Sequence, residues 1–142
     1  VLCVNKGEIE YKAELIEKSI HTIKSSLPKT QERFSNMGLA KDGIYKQLEF
    51  AIQNLLDALN EVASSLDLGA ISYQGIVEKL HEENIIDDEL KEKLDFLVQL
   101  REVLIYNYDI LNDEIAFRNM EECLQFLEEG LKFLRSFLEG EE

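Results

Sequence analysis

The sequence predicts an all-α fold, an antiparallel up-and-down four-helix bundle with one short extra helix. Three observations carry that expectation. Apolar residues recur at steps of three and four through four long stretches. No stretch alternates apolar and polar residues as a half-buried strand does. One proline and seven glycines are too few turn-formers for an all-β design. Long amphipathic helices joined by short connections then favour antiparallel neighbours.

The first helix is expected from about Glu8 to Ser26, its helical pattern carried by Ile9, Lys12, Ala13, Ile16, Ile20, Ile23 and Leu27. Pro28 ends it, because proline disfavours helical backbone in the residue before it. Residues 29–42 are polar and contain "NMG" and "KDG", which read as a connection with room for a turn or two of helix. The second long helix holds one apolar face from Ile44 to Leu66, with Gly69 as its stop signal. "SYQGIVEKLHEENII" predicts a short helix opened by Ser72, lying in the crossing between the second and third long helices. The third long helix opens on Asp87 and Asp88, which suit the positive end of a helix. Its apolar stripe is Leu90, Leu94, Leu97, Leu104 and Ile105, and "DILND" interrupts it. The last helix is expected from Asp113 to Leu138, with Ile115, Ala116, Met120, Cys123, Leu124, Leu127, Leu131 and Leu134 facing inward. Phe126, Phe133 and Phe137 fall partly off that face and are read as covering a neighbouring helix or a second subunit.

The chain of 142 residues fits one domain, 1–142, with fraying expected over 1–7 and 139–142. The formal net charge of −14 repels nucleic acid at long range and argues against a constitutive nucleic-acid coat. It leaves room for a small basic pocket that handles RNA transiently. Cys3 and Cys123, the two cysteines, form no CxxC motif and no disulfide framework, which fits a reducing cytoplasm. Apolar runs are too short to span a membrane, and "VLCVNKG" lacks the pattern of a signal peptide.

One stretch departs from plain architecture. Positions 94, 97, 101, 104 and 108 lie on one helical face, and four of them are Leu94, Leu97, Leu104 and Tyr108. The fifth is Arg101. A guanidinium on an oily stripe needs a partner. Arg101 either snorkels to the surface, pairs with a carboxylate on a facing helix, or lines an anion pocket on this face or between two subunits. Tyr106 is rotated roughly 140° from Arg101 at about 100° per residue. Both therefore line one pocket only near a helix end or between two subunits. Asn107 and Asp109 add polar groups where the helical pattern fails. Neither His21 nor His81 has a setting beyond a solvated side chain. "EKLH" (Glu78 to His81) supplies one Glu-x-x-His where a di-iron bundle needs two, so no metal is expected.

The run "LREVLIYNYDILND" resembles the motif of the HEPN superfamily, specifically the HepT-like ribonuclease toxins, whose usual form is "FRNxLVHxYxxID". Arg101 matches the motif arginine, Tyr108 the motif tyrosine, and "DILND" the acidic tail. The order of "YKQLEFAIQNLLDALNEVAS", "YQGIVEKLHEENIIDDELKEKLDFLVQLREVL" and "DEIAFRNMEECLQFLEEGLKFL" also fits, so the resemblance spans roughly residues 8 to 138. One position departs. The histidine slot holds Tyr106, and the residue after the arginine is Glu102.

The resemblance implies a cytoplasmic homodimer and a metal-independent, cofactor-free endoribonuclease site with RNA as substrate. The family's arginine and histidine, given by two subunits, form that site, so Arg101 and Tyr106 are the candidate catalytic pair here. Histidine titrates near about 6.5 and tyrosine near about 10, so a tyrosine is a poor general base at neutral pH. The implied activity is a weakened or lost RNA cleavage. The resemblance further implies a partner, a minimal nucleotidyltransferase of the MntA type that attaches AMP to the motif tyrosine. Tyr108 is then the acceptor, its hydroxyl expected beside Arg101, with Asn107 and Glu102 bordering the pocket. An alternative implication is a non-catalytic subunit that docks this nucleotidyltransferase. Under either reading, Glu121, Glu122, Glu128, Glu129 and the acidic tail meet a basic surface on the partner.

Overall fold

The computed structural model describes residues 5–140. Its helices are α1 (Lys6–Ser26), α2 (Gln31–Ser35), α3 (Leu39–Ser65), α4 (Tyr73–Glu82), α5 (Asp88–Tyr106) and α6 (Asp113–Gly140), with a single 3-10 turn at Tyr108–Ile110 between the last two. No strand occurs among the described residues. The four long helices α1, α3, α5 and α6 form the expected up-and-down bundle. α1 packs on α3 and α6, α3 on α5, and α5 on α6. Residue pairs across each of these contacts run in opposite directions. Lys24 meets Glu128 and Glu17 meets Arg135 between α1 and α6. Lys93 meets Glu129 between α5 and α6.

Local chemistry explains most helix ends. Asn5, Thr30, Ser72 and Asp87 each cap a helix by accepting a backbone N–H with the side chain. Leu27 turns extended (φ −69°, ψ 125°) ahead of Pro28 and ends α1. Gly38 enters α3 at φ +62°, where a side chain would be strained.

Several expectations need correction. The turn or two of helix allowed at 29–42 is α2, held by buried Phe34, which packs edge-on to Tyr45 at 5.5 Å and against Phe117 at 5.4 Å, but the connection is shorter than expected because α3 already begins at Leu39. α3 does not stop on Gly69. Asp67 takes the left-handed conformation (φ 59°), and the Leu68 N–H closes on Ala63 O at 2.8 Å. Ile115, assigned to the inner face of the last helix, is 49% exposed, and Ile105 is also exposed. Of the residues expected to fray, Lys6 and Gly7 belong to α1, and Glu139 and Gly140 belong to α6. Residues 1–4, which include Cys3, and residues 141–142 lie outside the described ones. Phe126 does cover a neighbouring helix, standing edge-on to Phe96 of α5 at 5.6 Å.

Two contacts fix α3 against α6, which run parallel across the diagonal of the bundle. Buried Gly130 of α6 lets Leu55 of α3 approach so closely that an added Cβ would lie 2.6 Å from Leu55 Cδ2. At the N-terminal ends, Lys41 Nζ donates to Asp113 Oδ2 and Tyr45 Oη to Asp113 Oδ1, both at 2.7 Å. Burial pushes the Asp113 carboxyl up, but these two bonds and the Lys41 charge together outweigh it and hold the pKa below the usual carboxylate range.

Both contacts are testable. Overpacking a core costs about 1–3 kcal/mol, more than the roughly 1 kcal/mol a helix gains from alanine over glycine. Gly130→Ala is expected to lower stability in urea unfolding. In a Leu55→Ala background, where the obstacle is gone, the same change is expected to be neutral or stabilising. For Asp113, whose native pKa is depressed, the stabilisation is present above the unfolded value of about 3.9 and is lost as pH falls through the native value. Thermal unfolding across that acid range should therefore show a steeper loss in the wild type than in Asp113→Asn.

Candidate functional site

A polar stripe runs down one edge of α3: Asp42, Lys46, Glu49, Gln53 and Asp57, at steps of four, three, four and four. It borders the buried face made by Ile44, Leu48, Ile52, Leu55 and Leu59. Antiparallel α5 brings Arg101 and, just past its end, Tyr108 to this stripe.

Arg101 pairs with no carboxylate among the described residues. It is half-buried, its Nε donates to Gln53 Oε1 at 2.5 Å, and its guanidinium carbon lies 5.0 Å from the centre of the Tyr73 ring of α4. This is a cation–π contact in partly desolvated surroundings. A second layer holds those two partners. The Gln53 amide donates to Tyr73 Oη at 2.6 Å and to Asp57 Oδ1 at 2.9 Å, and Tyr73 Oη donates to Asp57 Oδ1 at 2.6 Å. Lys12 of α1 stands 4.0 Å from the other Asp57 oxygen. Burial first, and then the Asp57 bond, raise the Tyr73 pKa, so this phenol stays protonated and keeps donating. Gln53 and Tyr73 thus bind Arg101 through a neutral acceptor and an aromatic face, with Asp57 holding both. Among the described residues no acid lies within ion-pairing distance of its guanidinium.

Tyr108 occupies the 3-10 turn, 38% exposed. Its hydroxyl donates to Asp42 Oδ1, and its ring stands edge-on to Tyr45 at 5.5 Å. Burial first and then the bond to Asp42 push its pKa above the ordinary tyrosine value. The expected placement of this hydroxyl beside Arg101 is corrected here. Their partners Asp42 and Gln53 are eleven residues apart on α3, about 16 Å at 1.5 Å per residue. An open cavity of about 350 Å³, lined by Asp42, Tyr45, Lys46, Glu49, Leu104 and Tyr108, lies on the Tyr108 side.

Tyr106 ends α5 and is 72% exposed, turned away from Arg101. Within one chain the two do not meet. Asn107 caps α5, its N–H donating to Val103 O at 3.0 Å, and Glu102 is exposed beside Arg101 in sequence. Asn107 also borders an apolar groove of about 370 Å³ between α5 and α6, with Phe96, Leu100, Ile110 and Ile115 on its walls and Cys123 among its lining residues. Burial pushes the Cys123 thiol up to about 11, so it is no nucleophile at neutral pH.

Neither histidine stands in for the motif residue. His21 is exposed on α1, which is diagonal to α5 in the bundle. The His81 ring nitrogen lies 2.6 Å from Asp88 Oδ1, at the far end of α5 from Tyr106. No group of three or more His, Cys, Asp or Glu side chains is arranged to hold a metal among the described residues. No helix among them is long and apolar enough to cross a membrane. In the acidic patch, Glu128 and Glu129 bond to Lys24 and Lys93 within the chain at 2.6 and 2.7 Å, while Glu121 and Glu122 are exposed.

The sequence singles out Arg101 and Tyr108 but not their partners Asp42, Gln53 and Tyr73, nor Asp57 behind them. The signal was present in the polar stripe of α3, whose spacing matches the face carrying Arg101 and Tyr108.

Solved structures share this fold. Bacillus subtilis YutE, described as a cytosolic protein of unknown function, superposes with a TM-score of 0.83 at 19% identity, covering 99% of this chain and 95% of that one. A tri-AMPylated Shewanella oneidensis HEPN toxin, solved in complex with an MNT antitoxin, gives 0.82 at 21% identity over 91% of this chain and 97% of that one. A mutant MntA–HpeT toxin–antitoxin chain gives 0.82 at 20% identity, covering 91% and 98%. No curated protein matches the sequence. The family model described as ribonuclease HepT-like matches residues 16–134, and the chain therefore belongs to the HepT-like family.

Proposed function

We propose that this chain is the toxin of a two-component toxin–antitoxin pair, a slow metal-independent endoribonuclease restrained by a MntA-like nucleotidyltransferase. The observation that carries it is Arg101: a half-buried guanidinium oriented by Gln53 and Tyr73 and left without an ion-pair partner among the described residues. Such a group is suited to a backbone phosphate, because its planar fork donates in pairs. The family membership and the toxin–antitoxin complexes among the structural relatives support the pairing with a nucleotidyltransferase. The tri-AMPylated relative supports nucleotidyl transfer as the means of restraint, with half-exposed Tyr108 as acceptor. A cytoplasmic setting agrees with the description of YutE.

The chemistry is slow because Tyr106 stands where a histidine is expected. RNA cleavage without metal needs a group to take the proton from the ribose 2′-hydroxyl. A positioned acid–base group contributes typically about 10²–10⁴-fold. Arg101 and Tyr106 come together only if a second subunit supplies one of them. The apolar groove between α5 and α6 is the surface we assign to that subunit, since exposed Ile110 and Ile115 line it and Tyr106 projects nearby at the end of α5.

Two experiments test this reading. Metal-free cleavage of tRNA by the purified protein is expected to be slow, to increase by about 10²–10⁴-fold in Tyr106→His, and to vanish in Arg101→Ala. If Tyr106→His also fails to cleave, the chain is a non-catalytic docking subunit of the nucleotidyltransferase. Sedimentation of Ile115→Asp is expected to show a monomer where the wild type is a dimer, with loss of the cleavage that Tyr106→His gains.

A further inference from the structure

Asp42 lies in the first turn of α3, is exposed, and receives the Tyr108 hydroxyl hydrogen on its Oδ1. The two other acids nearby are already occupied. Asp113 takes Lys41 on one oxygen and Tyr45 on the other, and Glu49 takes Lys46. Asp42 is thus the carboxylate that faces the Tyr108 phenol, and both line the open cavity of about 350 Å³. Exposed Lys46, one turn along α3, lines the same cavity with its ammonium 3.1 Å from Glu49 Oε2. A phenol whose pKa is raised is a weak nucleophile at neutral pH. Its proton has to leave while the new bond forms, and a base already hydrogen-bonded to it is in position to take it.

We propose that Asp42 is the general base for nucleotidyl transfer to Tyr108. The proposal rests on the reading of Tyr108 as acceptor. In the step, Tyr108 Oη attacks the α-phosphorus of a nucleoside triphosphate that the partner enzyme presents with its divalent cation. The Oη–P bond forms as the bond from that phosphorus to the bridging oxygen breaks. Pyrophosphate leaves with the electron pair, and the phenolic proton passes to Asp42 Oδ1. Nothing is oxidised or reduced. The competing role for Asp42 is a latch that merely ties the 3-10 turn to α3.

The experiment uses the full chain with its cognate MntA-like nucleotidyltransferase, ATP and magnesium, and follows adduct formation by intact mass with peptide mapping. Asp42→Asn keeps an oxygen that accepts the hydrogen bond but is a far weaker base. Its initial rate is expected to fall about 10²–10⁴-fold, with partner affinity and melting midpoint unchanged. Tyr108→Phe is run beside it and is expected to remove the mapped adduct. An adduct that survives Tyr108→Phe overturns the acceptor reading and the proposal with it. Loss of the adduct in Tyr108→Phe together with a wild-type rate in Asp42→Asn overturns the role of Asp42 and leaves the acceptor standing. A rate loss in Asp42→Asn that follows weakened partner binding or a lowered melting midpoint identifies the latch instead.

Discussion

The packing of α3 is the constraint on which the rest of the molecule depends. It touches α1, α4, α5 and α6, and its buried face runs from Ile44 to Ser65. A helix surrounded in this way has little freedom to rotate, because turning it would expose Leu48, Ile52, Leu55 and Leu59 to water. Fully burying one such side chain is worth about 1.5–3 kcal/mol. The same lack of freedom aims the polar edge of α3. Asp42, Gln53 and Asp57 face α5 and α4 because the opposite side of their helix is locked into the core. The site is thus positioned by apolar burial, and its own hydrogen bonds only refine it.

How much of this was legible in the sequence follows from the range of the interactions involved. Helix positions depend on local periodicity and caps, so the bundle, the Ser72 and Asp87 caps and the break before Pro28 could be read directly. Local signals were insufficient where a distant contact decides the outcome. α2 has five residues, too few to be stable alone, and exists because Phe34 finds Tyr45 and Phe117. Gly69 was the obvious helix stop, yet Asp67 adopts the left-handed turn two residues earlier. Ile115 follows the helical period of its neighbours, but the groove between α5 and α6 leaves it uncovered.

The candidate site divides along the same line. Arg101 and Tyr108 were recognisable because a charge and a phenol interrupt an oily stripe. Their partners were not, because Asp42 and Tyr108 are 66 residues apart and Gln53 and Arg101 are 48 apart. A carboxylate on a facing helix was one of three settings the sequence allowed for this arginine. The structure uses an amide and an aromatic ring, with the carboxylate of Asp57 one step further back. That choice orients the guanidinium without neutralising it, which an ion pair would not do.

The platform beneath that cation has a consequence for motion. Tyr73 belongs to α4, a helix of ten residues with only Ile76, Val77 and Leu80 buried. It lies between turns whose backbone is left-handed at Asp67 and at Asn84. Elements with so small a docked face open well before the whole domain does. The orientation of the arginine is therefore only as durable as the docking of the short helix that carries the Tyr73 ring.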